Sequence, residues 1–228
     1  MEKIKPLYGK KLSQEWAEWV EKSDPDGTRE AEIFPFVEKW LTENNPKIIL
    51  DIGCGQGIIS KLIPGNSHYI GVDSSKNLIK RAKKLYDQEN KAFKVGNLYS
   101  LPIEDKSVDS AISIWVWSHL DNLNKAAKET ARVLKPNGKY LIISANPETY
   151  DLRKTFYKKY IEKDSVLIGD FDLGDGKVLT DSTLYLHSLE NIKNALINAG
   201  LTISHESRMG QDIESPKGLY VVFSGTKL

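Results

Sequence analysis

Residues 47–52 read KIILDI and run straight into glycines at 53, 55 and 57. An unbroken apolar run of this kind is expected of a strand covered on both faces. Glycine supplies the left-handed backbone angles and the close ligand approach that a tight strand-exit turn requires. The strand theme then recurs. HYIGV at 68–72, AFKVG at 92–96, VDSAISIW at 108–115 and KYLIIS at 139–144 read as further strands. Between them lie helical patterns: about Gln56 to Ile63, from Ser74 or Ser75 to about Gln88, and from an Asp121 cap through Leu134. Strand–helix alternation at this spacing predicts parallel βαβ units in an α/β, doubly wound sheet with helices on both faces.

The flanking regions are patterned differently. Trp16, Trp19 and Val20 share one face of a short helix, SDPDG at 23–27 is a turn, and Thr28 caps a helix through Leu41 that ends at NNP. After Asn146 an aromatic, charged piece from Tyr150 to Tyr160 reads as helical, and a Gly/Asp-rich stretch, GDFDLGDGK, follows it. Ser188 caps a helix that Gly200 stops, and residues 201–207 and 219–224 alternate like two closing antiparallel strands. The expected organisation is a single domain over 1–228. It has an N-terminal helical lid (1–45), a cofactor-binding core (46–146), a substrate-side insert (147–187) and a closing helix with strands (188–228).

Charge and cysteine usage narrow the partners. Formal net charge is +1 with 28% charged residues, which disfavours nucleic acid or an anionic membrane as the main partner. The single cysteine, Cys54, excludes an internal disulfide. MEKIKPLYGKK lacks the apolar run of a signal peptide, and no stretch reaches the length of a membrane span, so a soluble, cytoplasmic protein is expected.

Ligands of doubly wound sheets bind beyond the C-terminal strand ends, near the switch in strand order. Asp51 and the glycines lie at the first such end. Asp73, twenty residues after Gly53, ends the second strand, where a carboxylate can accept from ribose hydroxyls. The expected object is a cradle for a nucleoside-bearing cofactor. The dinucleotide fingerprint places its third glycine where Ile58 stands, and no Gly-Lys-Ser/Thr follows, so the P-loop pattern is absent too.

Four stretches in order, LDIGCGQG, GVDSS, GNLYSLPIEDKSVDSAIS and ARVLKPNGKYLIIS, resemble the class I S-adenosylmethionine-dependent methyltransferases of the small-molecule "type 11" sort. HSLENIKNALINAGL is similar to that family's last helix. The resemblance spans about Ile48 to Leu201. It implies a Rossmann-like seven-stranded sheet with its last strand antiparallel, S-adenosylmethionine as cofactor and a small-molecule acceptor. It also implies that Asp51, Gly53 and Gly55 cradle the methionine and ribose parts. Asp73 would bind the ribose hydroxyls, Ser74 would pack near the adenine, and Asn97 and Leu98 would address the adenine edge. Ser113, Ile114 and Trp115 would line the floor. Asn97 stands where the family has Asp, and Pro136-Asn137-Gly138 where it has Pro-Gly-Gly.

Methyl transfer asks the protein to position a nucleophile and exclude water; a base is needed only where the acceptor must lose a proton. His119 and His187 are the candidates for such a base, each with a packing role as its alternative, and no metal ligand set is read. Trp115 and Trp117 should point to opposite faces. Tyr8, Trp16, Trp19 and Arg29 belong to the expected lid, where Arg29 either pairs with the cofactor carboxylate or is solvated. Cys54 reads as a small residue that fits the cradle. Tyr150 and Lys154 have the Tyr-x-x-x-Lys spacing of short-chain dehydrogenases, so a nicotinamide-dependent oxidoreductase is the rival enzyme. A non-catalytic S-adenosylmethionine-binding protein is the third reading.

Overall fold

The computed structural model describes residues 16–20, 27–174, 176–211 and 216–228. A seven-stranded sheet forms its centre. It comprises β1 (Ile48–Ile52), β2 (His68–Asp73), β3 (Lys91–Val95), β4 (Val108–Ile114), β5 (Leu134–Ala145), β9 (His205–Met209) and β10 (Tyr220–Thr226). Their order is β3-β2-β1-β4-β5-β10-β9. β1 to β5 pair in parallel, and β10 runs antiparallel between β5 and β9.

Successive strand residues face opposite sides, which explains why Ile48, Ile49, Leu50 and Ile52 can all be apolar. Leu50 and Ile52 join one core, with Val72, Ile142 and Phe223. Ile49 joins the other, with Ile112, Leu141 and Ile143. The first core is roofed by α3 (Leu123–Val133) and α5 (Leu189–Asn198), the second by α1 (Phe34–Asn44) and α2 (Lys76–Tyr86). Trp117 is fully buried in the first core while Trp115 packs at the margin of the second, so the two point apart.

Helix ends follow local chemistry, with some shifts from expectation. Ser75 caps α2 by accepting from Leu78 N–H, and Ser188 caps α5 by accepting from Asn191 N–H. Asn122, not Asp121, caps α3; Asp121 instead accepts the Tyr99 hydroxyl at 2.5 Å. Thr28 takes helical angles and makes no side-chain cap, because a π-helical turn, Arg29–Ile33, leads into α1. The helix expected over 56–63 is only a 3-10 turn, Ile58–Leu62. Asn137 adopts φ 61°, the left-handed angle its turn requires.

The largest departure lies after β5. Only α4 (Tyr150–Lys154) is helical in the stretch expected to be helical to Tyr160. The chain then forms an antiparallel arm of β6 (Tyr157–Lys163), β7 (Val166–Gly174) and β8 (Lys177–Tyr185). β6 and β7 are joined by Asp164 and Ser165 at φ 51° and 62°, the paired left-handed angles of a two-residue hairpin turn. Among the described residues no helix is long and apolar enough to cross a membrane.

Candidate active site

A cavity of about 720 Å³ opens where β1 and β4 lie side by side, the switch point of the sheet. Asp51, Gly53, Gly55, Asp73, Ser74, Asn97, Leu98, Ile114 and Trp115 all line it. Gly55 holds φ 54°, and a Cβ placed there would meet nothing within 4 Å, so the bare backbone faces open space. Gly53 holds φ 80°, and a Cβ there would stand 2.4 Å from Val116 Cγ2. The glycines are therefore required for two different reasons, access at Gly55 and packing at Gly53.

The carboxylates are held by bonds the sequence does not advertise. Asp51 is buried, and Tyr69 Oη donates to its Oδ2 at 2.7 Å. Burial pushes its pKa up to about 7, the Tyr69 bond opposes the shift and the Asp73 charge adds to it. Asp73 accepts Ser75 N–H on Oδ1 at 2.8 Å and Gly55 N–H on Oδ2 at 3.0 Å. Burial raises its pKa against those two bonds. Asn97 Oδ1 accepts Tyr99 N–H at 2.9 Å, which fixes the amide at the cavity edge.

The backbone donors of the glycine turn are largely spent internally. Gly53 and Cys54 N–H both reach Val72 O, at 2.8 and 3.1 Å, and Gly57 N–H reaches Cys54 O at 2.8 Å. With a 3-10 turn instead of a helix, this is no phosphate cradle of the dinucleotide type. Cys54 is buried, so close to Gly71 that a Cβ there would lie 2.8 Å from its Sγ. Burial raises the thiol pKa well above its ordinary value, consistent with a packing role. Among the described residues the cavity is lined by Asp51, Asp73 and Asp121 and by no lysine or arginine. Such a lining suits a ligand that carries positive charge and no phosphate.

Two expected residues lie elsewhere. Ser113 does not line the floor, because its Oγ donates across the sheet to Ile52 O at 3.0 Å. Arg29 is buried and does not line this cavity; its Nη1 donates to Val20 O at 2.5 Å, and its Nη2 pairs with Glu30 at 3.1 Å. Tyr8 lies outside the described residues.

A second cavity, of about 370 Å³, adjoins the first. Trp16, Val20, Trp115 and His119 line both and so form a common wall. The arm supplies much of the rest: Phe156, Tyr157, Phe171, Leu179 and Leu184. Trp19 Nε1 donates to Leu173 O at 2.9 Å, and Gln56 Nε2 donates to Ala17 O at 3.0 Å, so the short helix at 16–20 is tied to both the arm and the glycine turn.

The two histidines share a further role. His119 Nδ1 lies 2.7 Å from Thr183 O, and His187 Nε2 lies 2.6 Å from Leu120 O. Each bonds a carbonyl across the junction of core and arm. A neutral His119 must carry its proton on Nδ1 to bond a carbonyl, which leaves its ring lone pair on Nε2. Burial lowers the His119 pKa, the Arg153 charge lowers it further, and the Thr183 bond opposes them. His187 lines neither cavity. Tyr150 donates to Tyr185 O at 3.3 Å, and Lys154 pairs with Glu162 at 2.9 Å and Asp151 at 3.0 Å. Neither lines the cofactor cavity, so their dehydrogenase-like spacing is coincidental.

Comparison with known proteins agrees with this geometry. Residues 50–142 match the family described as "Methyltransferase domain". Demethylmenaquinone methyltransferase of Thermotoga maritima is 26% identical over 178 residues, 75% of this chain and 76% of that protein. The 2-phytyl-1,4-naphtoquinone methyltransferase of Trichormus variabilis is 27% identical over 140 residues, 58% of this chain and 61% of that protein. The crystal structure of the PH0226 protein from Pyrococcus horikoshii OT3 superposes with a TM-score of 0.71 at 22% identity, covering 99% of this chain and 97% of that one. Residues 50–142 thus form a methyltransferase domain, the chain shares the fold of the S-adenosylmethionine-dependent methyltransferases, and its cofactor is S-adenosylmethionine.

Proposed function

We propose that the chain methylates a small organic acceptor held in the second cavity, by in-line displacement. The observation that carries this reading is the 370 Å³ chamber sharing a wall with the cofactor cavity. It has the size of a small-molecule site. That the Thermotoga relative is a demethylmenaquinone methyltransferase and the Trichormus one a 2-phytyl-1,4-naphtoquinone methyltransferase supports a small organic acceptor.

S-adenosylmethionine, when bound, supplies a methyl group already activated by a sulfonium. Asp51, Asp73, Gly53 and Gly55 would hold it, with Ser74, Asn97 and Leu98 at the adenine end and Ile114 and Trp115 along the floor. The aromatic wall of Trp16, Trp115 and the arm keeps water from the reacting atoms. For an acceptor that loses a proton, His119 Nε2 is the basic atom at the common wall. In this reading residues 1–45 form the lid, 46–146 the cofactor core, 147–187 the acceptor arm and 188–228 the closing unit.

Calorimetric titration with S-adenosylmethionine, S-adenosylhomocysteine and NADH, followed by a mass-spectrometric screen of hydroquinones and phenols, tests it. Binding of the two adenosyl compounds but not NADH, with a methylated product in the screen, is expected. Binding of both without any methylated small molecule would favour a non-catalytic or macromolecular role.

A further inference from the structure

The acceptor chamber holds two buried hydrogen-bond donors with nothing to donate to. Among the described residues, Arg153 Nε and Trp115 Nε1 are shielded from solvent and have no hydrogen-bond partner. Both side chains donate only and cannot accept. Both are packed on one ring: the Arg153 guanidinium lies 5.0 Å over Tyr220, and the Trp115 ring centroid is 6.0 Å from that of Tyr220. Such orphaned groups are costly to bury, and their persistence together marks a place where lone pairs arrive from outside the chain.

The charge around them points the same way. Of the other ionisable groups lining the chamber, Arg29 is paired with Glu30 and Val20 O, and Asp172 is taken by Gly174 N–H at 2.9 Å and Lys158 at 3.3 Å. His119 is held towards its neutral form. Arg153 itself bonds Leu219 O through Nη2 and faces no carboxylate in ion-pair range among the described residues. Its positive charge is thus the uncompensated one, set among Phe156, Phe171, Leu179 and Leu184.

Resting on the reading of this chamber as the acceptor site, we propose that the acceptor joins an apolar body to an anionic group and that Arg153 receives that group. A carboxylate and a phosphate ester share the chemistry required, bidentate acceptance from a guanidinium.

The test uses the protein saturated with S-adenosylhomocysteine and three probes on one ring system: naphthoate, naphthyl phosphate and the neutral naphthylmethanol. Calorimetry should show at least one anion binding about tenfold or more tightly than the alcohol, and the stronger anion names the source. Arg153→Gln should erase the preference, whereas Arg153→Lys, which keeps the charge, should retain part of it. Unchanged S-adenosylhomocysteine affinity in both variants certifies their fold. The proposal is overturned if the alcohol binds as well as both anions, if Arg153→Gln keeps the preference, or if no probe binds. Failure of S-adenosylhomocysteine to bind would instead strike the cofactor assignment, and the same titrations on the unloaded protein would still decide the role of Arg153.

Discussion

The two cavities share a wall but are built by opposite means. The cofactor cavity is made of main chain: strand ends, glycines at positive φ, and carboxylates pinned by Tyr69, Gly55 and Ser75. Its ionisable lining is acidic. The proposed acceptor chamber is made largely of side chains carried on the arm and on the helix at 16–20, and, among the described residues, its unpaired charge is that of Arg153. A site that must hold the same ligand throughout a family can be fixed by backbone geometry. A site that must differ between members is better made from residues on an appended element, where substitution does not disturb the sheet.

The sharpest way to break this contrast is pH. In Asp51 the folded pKa stands near 7, above its ordinary 3.8. The native state therefore binds an extra proton between those values, and its contribution to stability is lost as pH rises through that window. The effect is at most about 4 kcal/mol, and Asp51→Asn should flatten it in chemical denaturation between about pH 4 and 7. His119, with a lowered pKa, has the opposite sign: the unfolded chain takes up the proton first, so stability falls as pH drops below about 6.5. His119→Gln should remove that acid-side loss and leave the Asp51 window untouched. A denaturation profile in which both variants change the pH dependence with the same sign would sink the division into two regions.

Next in size is Asp73→Ala, which removes an acceptor facing the cavity and orphans the N–H groups of Gly55 and Ser75. S-adenosylhomocysteine affinity should fall by about tenfold to a hundredfold, while naphthoate affinity for the unloaded protein stays within about twofold. Equal losses for both ligands would mean that the cavities are one site. The smallest effect belongs to Trp19→Phe, which keeps an aromatic ring against Phe171, 6.0 Å away, but loses the bond to Leu173 O. It should cost about 1 kcal/mol, seen as faster hydrogen exchange of the β7 amides, with cofactor affinity unchanged.

The same contrast explains what the sequence disclosed. The sheet was readable because strands covered on both faces leave long apolar runs, and those of β1 and β5 are hard to read otherwise. The cradle was readable because Asp51, the glycines and Asp73 sit at fixed offsets from strand ends. The arm was not, because Asp164 and Ser165 turn its first hairpin without a glycine between them, and Lys- and Tyr-rich β6 lacks an apolar face. Tyr69 under Asp51 became visible only from register. Asp51 pairs with Gly71, which puts Tyr69, two residues earlier, on the face of Asp51. Gln56 to Ala17, His119 to Thr183 and Arg153 to Tyr220 join residues far apart in sequence, and no local pattern announces them.

Tyr150 and Tyr185 stand at the two ends of the arm, and the hydroxyl of one reaches the carbonyl of the other. The polypeptide thus departs from the sheet and returns to it through a single doorway, with His187 latching the exit to Leu120. An element attached in this way behaves like an exchangeable cassette. A different hairpin, longer or differently lined, could be spliced between the same two posts while the strands that hold the methyl donor keep their register. Under the proposed function, acceptor choice is therefore open to inheritance, loss or engineering as a unit separate from the methyl-donor site.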